Sequence, residues 1–449
     1  MTSSTDRTPL TPARETPRWL LPTVILAALA IRIVVVYFTF RGLPDADKDY
    51  EAFGWEVGWV ARALASGRGF SSPFFPWSGP TALVAPLYTF VVAGVFRLFG
   101  IYTVTSGFVV LSINSLLSAL TCIPVYFSAR YSLGLRGSRI AAWVWAFYPF
   151  AIYFSAGRVW DYALTGLLFT TAFCIAQRLH RTANPAAWLG FGALWGLTAL
   201  SNPAISSVMP FLLLVALWKS PGTGRNWLVK AAFHGALTAA GVLLVVSPWT
   251  VRNYRALGIL CPIRDNYWQN FYAGNYGDTS DPMPPEKHPA SNPVEMQKYL
   301  TMGETAYLAE KHTLAMERIA HHMPFIAGLT VRRFVFYWTA FWSFDPGYMG
   351  REPTELPDMF QCICITLLML RGAWRFWRLN RAAALPYLIL IGVFPLAYYI
   401  THPLMDYRQP IEPAIVVLAV AGALPFKFLK RGGAEKQRED WIGAERAIA

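Results

Sequence analysis

Residues 20–40 read LLPTVILAALAIRIVVVYFTF, an apolar run with a single cation, Arg32, near its middle. Its length matches the ~20 residues that a helix needs to cross ~30 Å of hydrocarbon. The next stretch of chain is opposite in character. Asp45, Asp47, Asp49, Glu51 and Glu56 crowd a polar loop that closes on Gly67-Arg68-Gly69-Phe70. Carboxylates gathered beside a bilayer are costly unless water or a cation attends them, so this loop marks a wet cleft against an apolar bundle.

Apolar runs recur to the other end of the chain, among them Thr105–Phe127, Ile140–Ser155, Ala231–Pro248, Ala384–Ile400 and Pro413–Phe428. Of the 449 residues, 55% are hydrophobic and 14% charged, a balance that a soluble surface could not carry. The expected fold is an all-α polytopic membrane protein with about 10–12 transmembrane helices. Residues 1–18 read as a disordered cytoplasmic tail, 19–428 as one transmembrane domain, and 429–449 as a second cytoplasmic tail. The first run is too long for a secretory signal and no small-residue cleavage site comes after it, so it reads as an anchor.

Loop charge sets the expected sides. Gln177–Asn184, Lys219–Lys230 and Arg371–Arg381 are basic and read as cytoplasmic, which leaves 41–82 and 249–323 as external loops. Strict alternation of spans conflicts with this rule between 83 and 160. One incomplete segment, Leu83–Gly100, removes the conflict and brings Asp161 to the external side. The formal charge of +13 comes without a basic tract interleaved with aromatics, which argues against nucleic acid and for anionic lipid. The five cysteines have no disulfide or zinc spacing. No phosphate-cradling glycine loop of the ATP-binding kind appears.

Within the acidic loop, Phe53, Val57, Val60 and Leu64 recur at helical spacing and predict an interfacial helix, its apolar side in lipid or on the bundle. Glu56 lies on the edge of that stripe, and Asp49 shares its side two turns away. Partial desolvation is expected to raise the Glu56 pKa and sharpen it as a base. Three further segments stand out. Asp161 comes directly after Arg158-Val159-Trp160 and is either a helix cap or a second carboxylate of the cleft. Ser247-Pro248-Trp249-Thr250-Val251-Arg252-Asn253-Tyr254 ends a span at a membrane face, where Arg252 either snorkels or binds an anion; Asn275 lies further along the same loop. Thr401-His402-Pro403 and Asp406-Tyr407-Arg408-Gln409-Pro410 form a stiff turn before the last span.

The run Gly54-Trp55-Glu56-Val57-Gly58, the stretch Ala61–Phe70, then Gly79-Pro80-Thr81-Ala82 and Pro86-Leu87-Tyr88, resembles the first external loop of GT-C-fold glycosyltransferases. The branch it resembles is the bacterial one related to protein mannosyltransferases and to the aminoarabinose transferase of lipid A. The Pro-Trp-x-x-Arg-Asn pattern and the late His-Pro/Tyr-Arg turn resemble the same branch. The resemblance implies a GT-C-like bundle that moves a sugar, with inversion, from a polyprenyl-phosphate donor to a lipid, glycan or protein acceptor at the outer face of a bacterial inner membrane.

It also implies a loop carboxylate as general base. Glu56 lies closest to the expected position, with Asp49 and Asp47 as the other candidates. Asp161, Arg252, Asn253, Asn275, His402, Tyr407 and Arg408 are then the expected substrate contacts, Arg252 and Arg408 on the lipid phosphate. No metal ligand set can be named, although a divalent cation is compatible with the chemistry. Two other readings compete. A secondary transporter needs charges buried at mid-span, and here they gather in loops. Another lipid-linked glycan ligase or an acyltransferase would share the topology without needing both the Glu56 loop and the Pro-Trp-x-x-Arg-Asn turn.

Overall fold

The computed structural model describes residues 18–41, 53–74, 77–220, 224–276, 287–341 and 355–425. Both expected tails, Arg18 excepted, lie outside the described residues, as do Asp45, Asp47, Asp49 and Glu51. Among the described residues the chain is helical, and its one β feature is an isolated bridge between Ser71 and Pro80.

Helix α1 spans Leu20–Arg41, and the interfacial α2, Glu56–Ala65, lies in the loop after it. Then come α3 (Pro86–Phe99), α4 (Val104–Leu120), α5 (Cys122–Ala146), α6 (Pro149–Ala156) and α7 (Tyr162–Leu179). Helices α8 (Pro185–Ser201), α9 (Met209–Trp218) and α10 (Gly224–Leu257) lead into the second long loop. That loop holds α11 (Tyr267–Gly274), α12 (Pro293–Met302) and the start of α13 (Glu304–Thr339). Helices α14 (Glu355–Leu379), α15 (Arg381–Val393), α16 (Leu396–Ile400) and α17 (Glu412–Ala423) complete the bundle, with a 3-10 turn at Met405–Ile411 before α17.

Among the described residues, five stretches are long and apolar enough to cross a membrane: Leu20–Thr39, Val104–Ala146, Gly224–Leu257, Leu356–Leu379 and Arg381–Ile400. The second is two passes in one. At Gly134 the backbone adopts φ 74°, a conformation open to glycine at little cost, and the chain doubles back. Cys122 then faces Ala142, and the Trp145 indole donates to the Ser118 carbonyl at 2.9 Å. This hairpin separates Arg130, Arg136 and Arg139 at one end of the bundle from Asp161 at the other. Helix α3, 14 residues long and so about 21 Å, is too short to cross and packs on α2. The surplus of the expected 10–12 passes falls on shorter or more polar helices.

Arg32 neither snorkels nor faces the cleft. It is fully buried, and its guanidinium donates to the Ala28, Trp145 and Ala146 carbonyls and to Ser118 Oγ, tying α1 to α4 and α5. A cation survives inside the bundle because its donors meet oxygens.

Candidate active site

The acidic loop reaches the bundle through Gly54. Its φ is +81°, and a Cβ there would stand 2.1 Å from the Val159 carbonyl oxygen, so only glycine allows this approach. The contact lays the start of α2 beside the segment that carries Asp161. Phe53, Val57 and Val60 are buried, so the apolar stripe of α2 faces protein rather than lipid. Glu56 occupies the first turn of α2, where the helix dipole favours a negative charge.

Glu56 Oε1 lies 3.2 Å from His288 Nε2. The Ala290 backbone N–H donates to His288 Nδ1 at 3.2 Å, which orients the ring with Nε2 toward the carboxylate. Burial pushes the Glu56 pKa up, but the His288 hydrogen bond and charge, a backbone hydrogen bond and the Arg264 charge outweigh it. The carboxyl is held below its ordinary value. This corrects the expected upward shift: desolvation is present, and the partners overcome it.

Arg264 is the hub. Its charge acts on Glu56, Asp161, Tyr398, His402 and Tyr407, which are widely separated along the chain. Its Nε donates to the Leu83 carbonyl at 2.7 Å, and the Asp265 N–H donates to the Ala82 carbonyl at 3.0 Å. No hydrogen bond occupies its terminal nitrogens among the described residues. The turn that delivers Arg264 is fixed from α10. Asn253 Nδ2 donates to the Cys261 and Ile263 carbonyls, the Trp249 indole donates to the Ile263 carbonyl, and Thr250 Oγ1 donates to the Pro262 carbonyl.

Asp161 is buried just before α7 but does not cap it. Its Oδ2 accepts from Thr165 Oγ1 at 2.8 Å, and Asn202 supplies a second side-chain hydrogen bond. Burial dominates, and the carboxyl is pushed up to about 6 even with Arg264 nearby. Two carboxylates therefore flank one guanidinium with their pKa values driven in opposite directions, an arrangement typical of proton-handling sites.

The turn 401–407 lines the other side. His402 Nε2 and the Tyr407 hydroxyl lie 2.7 Å apart, and the Tyr407 ring stacks on Tyr398 at 4.8 Å. Burial first, then the charges of Arg333 and Arg264 and the nearby His288, lower the His402 pKa to about 3, so the ring is neutral. Asp406 accepts a hydrogen bond from the Tyr162 hydroxyl. Behind this turn, Asn275 Nδ2 donates to the Ile400 carbonyl at 2.9 Å. Arg333 donates to Asn275 Oδ1 at 3.0 Å and to the Gly274 carbonyl.

Of the residues expected from sequence, the fold brings Glu56, Asp161, His402 and Tyr407 together. Asn253 and Asn275 stand one layer back and fix the turns. Arg252 and Arg408, expected on a lipid phosphate, make hydrogen bonds within the protein. Arg252 donates to the Thr81 and Phe70 carbonyls and to Asn253 Oδ1, and stacks on Trp249. Arg408 is fully buried and pairs with Glu412, which also accepts from the Tyr148 hydroxyl. Asp47 and Asp49 lie outside the described residues. Among the described residues no three His, Cys, Asp or Glu side chains converge as a metal site. Sequence reading missed Arg264 and His288. Arg264 sits in Arg264-Asp265-Asn266 with no local pattern to single it out, and His288 lies in a polar stretch where a histidine is unremarkable.

Residues 83–251 match the family model described as dolichyl-phosphate-mannose-protein mannosyltransferase. The chain is similar to GT-C-fold glycosyltransferases. The matched stretch runs from α3 into α10 and includes Asp161, but stops short of Arg264 and begins after Glu56. Among solved structures, the oligosaccharyltransferase of Archaeoglobus fulgidus, in a complex with zinc and sulfate, is 15% identical. The alignment covers 94% of this chain and 51% of that one, with a TM-score of 0.49. ArnT from Cupriavidus metallidurans, bound to undecaprenyl phosphate, is 13% identical over 91% of this chain and 78% of its own, with a TM-score of 0.41. The chain thus spans about half the length of the archaeal enzyme. No curated protein matches it in sequence.

Proposed function

We propose that the protein transfers a sugar from a polyprenyl-phosphate donor to an acceptor hydroxyl or amine at the external membrane face, inverting the anomeric carbon. The observation that carries this reading is the convergence of Glu56 and Asp161 on Arg264, a guanidinium whose terminal nitrogens take no hydrogen bond among the described residues. The acceptor loses its proton to Glu56 as its oxygen or nitrogen bonds to the anomeric carbon. The bond from that carbon to the phosphate oxygen breaks, and the electron pair leaves with the polyprenyl phosphate. Arg264 stabilises the charge that grows on the phosphate, in a site where little water competes. Phosphate leaves without being protonated, so no second acid is needed, unlike glycoside hydrolysis.

Glu56 is assigned as base because its carboxylate is held ionised and is about one-fifth exposed, whereas Asp161 is almost fully enclosed. A second reading gives the proton to Asp161, whose value of about 6 is better matched to neutral pH. A pH profile separates the two: with Asp161 as base, kcat/KM falls below about pH 6, whereas with Glu56 it holds to lower pH.

The test is to incubate the purified protein with a panel of radiolabelled polyprenyl-phosphate sugars and to track label leaving the lipid. Transfer from at least one donor is expected, and Glu56→Gln should cut it by about 10²–10⁴. If no donor in the panel loses label to any acceptor class, the reading fails.

A further inference from the structure

Two buried polar atoms of the 401–407 turn have no hydrogen-bond partner: His402 Nδ1 and Asp406 Oδ1. Buried polar groups are nearly always satisfied in folded proteins, and each orphan costs free energy unless water or a ligand meets it. These two stand four residues apart on one stiff segment, where Arg264 acts on His402 and Tyr407 and Arg158 acts on Asp406. The other faces of both groups are already held. His402 Nε2 is engaged by Tyr407, and Asp406 Oδ2 by the Tyr162 hydroxyl. Each side chain is therefore locked in orientation with one polar atom lacking a well-formed hydrogen bond among the described residues, the Asp406 and Tyr407 backbone N–H groups lying close to the Asp406 carboxylate.

Their surroundings place them beside the reacting groups. Tyr162 and Tyr398 each feel both Asp161 and Asp406, so the two carboxylates flank the same pair of phenols. Tyr407 feels Glu56 as well as Asp406. Tyr398 is sandwiched between Tyr407 and Tyr337, with centroids at 4.8 and 6.1 Å, so protein rings cover both of its faces and hold this wall rigid. An acceptor-only carboxylate oxygen and an imidazole nitrogen are groups that bind the hydroxyl edge of a pyranose.

We propose that His402 and Asp406 read adjacent hydroxyl groups of the donor sugar and so set which sugar the enzyme accepts. The proposal rests on the transferase reading above and specifies the part of the donor that is recognised. Asp406 Oδ1 accepts from one hydroxyl. His402 Nδ1 donates to its neighbour when the Tyr407 hydroxyl donates to Nε2, and accepts from it in the other tautomer. Burial raises the Asp406 pKa, with Tyr162 and Arg158 opposing, so a hydroxyl that donates to it also helps to keep it ionised.

The experiment uses the full chain in nanodiscs, with the best polyprenyl-phosphate sugar from the panel and its set of monodeoxy analogues. For the wild type, one monodeoxy donor should have a KM about 10- to 100-fold above the parent, the value of one hydrogen bond to a charged group. Asp406→Asn should raise KM for the parent by a similar factor, leave kcat within a few-fold, and make parent and that analogue nearly equal. Tyr162→Phe, which removes only the clamp on the other carboxylate oxygen, should weaken both donors alike and serves as the control for a merely structural effect. If Asp406→Asn weakens parent and every deoxy donor equally, or neither, the proposal is overturned.

Equilibrium binding keeps this separate from failure of the transferase reading. Wild-type protein should bind the sugar-bearing lipid more tightly than bare polyprenyl phosphate, and Asp406→Asn should erase the difference even if no turnover is seen. Equal affinities in the wild type overturn it too.

Discussion

Arg252 and Arg264 flank the same turn at the loop-side end of α10, and the protein uses them in opposite ways. Arg252 donates to two backbone carbonyls and a side-chain amide while lying against Trp249. It fastens the glycine-rich turn of the first loop to the bundle. Arg264 commits one nitrogen to the Leu83 carbonyl and faces two carboxylates and a tyrosine-rich wall with the rest. Arg408 extends the contrast, since it is buried against Glu412, Cys362 and Thr366 in the core of the bundle. An arginine near a membrane face is thus no guide to phosphate binding by itself. What separates a binding cation from a structural one is how many of its donors the fold has already used.

That contrast can be broken or sharpened by substitution. The largest effect is expected at Arg264. Arg264→Ala should lower label transfer by about 10²–10³, comparable to removing one donor that stabilises developing negative charge, with a smaller loss of stability of about 1–3 kcal/mol as the Leu83 carbonyl loses its donor. At Arg408 the pattern should invert. Arg408→Leu leaves Glu412 buried without its partner and should destabilise the protein by about 3–5 kcal/mol, read by thermal unfolding in detergent. Replacing both members by apolar residues should recover much of that loss.

Asp161 gives a subtler signal. Its folded carboxyl sits at about 6, above the unfolded range, so between those values the native state holds the extra proton. Stability therefore falls as pH rises from the unfolded value through about 6, and the ionised group costs about 3 kcal/mol at pH 8. Asp161→Asn should raise the unfolding temperature at about pH 8, bring little change at about pH 4, and reduce transfer. The smallest effect is expected at Arg252. Arg252→Ala strands the Thr81 and Phe70 carbonyls at a half-buried position and should cost about 1–3 kcal/mol, with a modest fall in transfer as the turn loosens.

The architecture was legible in the sequence because membrane burial writes itself into long stretches. The first span, the interfacial α2 and the incomplete Pro86–Phe99 helix all emerge from run length and helical spacing. The hairpin at Gly134 was not legible, since a single glycine in a left-handed conformation leaves no periodic trace. Within the site, Glu56, Asp161, His402 and Tyr407 were reachable because each sits at the edge of an apolar run, where a polar residue needs a reason. Arg264 and His288 lie inside a long polar loop, where such residues are unexceptional. Their meeting with Glu56 depends on the Leu83 carbonyl, the Asn253 amide and the close approach at Gly54, three tertiary facts that no local pattern encodes. The protein contacts of Arg252 and Arg408 were not legible for the same reason, because hydrogen-bond commitments are invisible until the partners are in place.

The most direct test of the account is the dissociation constant of polyprenyl phosphate measured by isothermal titration calorimetry for the wild type and for Arg264→Ala. A guanidinium that holds the lipid phosphate predicts a Kd weaker by about tenfold or more in the variant, with the salt dependence of binding reduced. Equal affinity and equal salt dependence would mean that the phosphate sits elsewhere, and that the cluster around Arg264 is not where the donor is held.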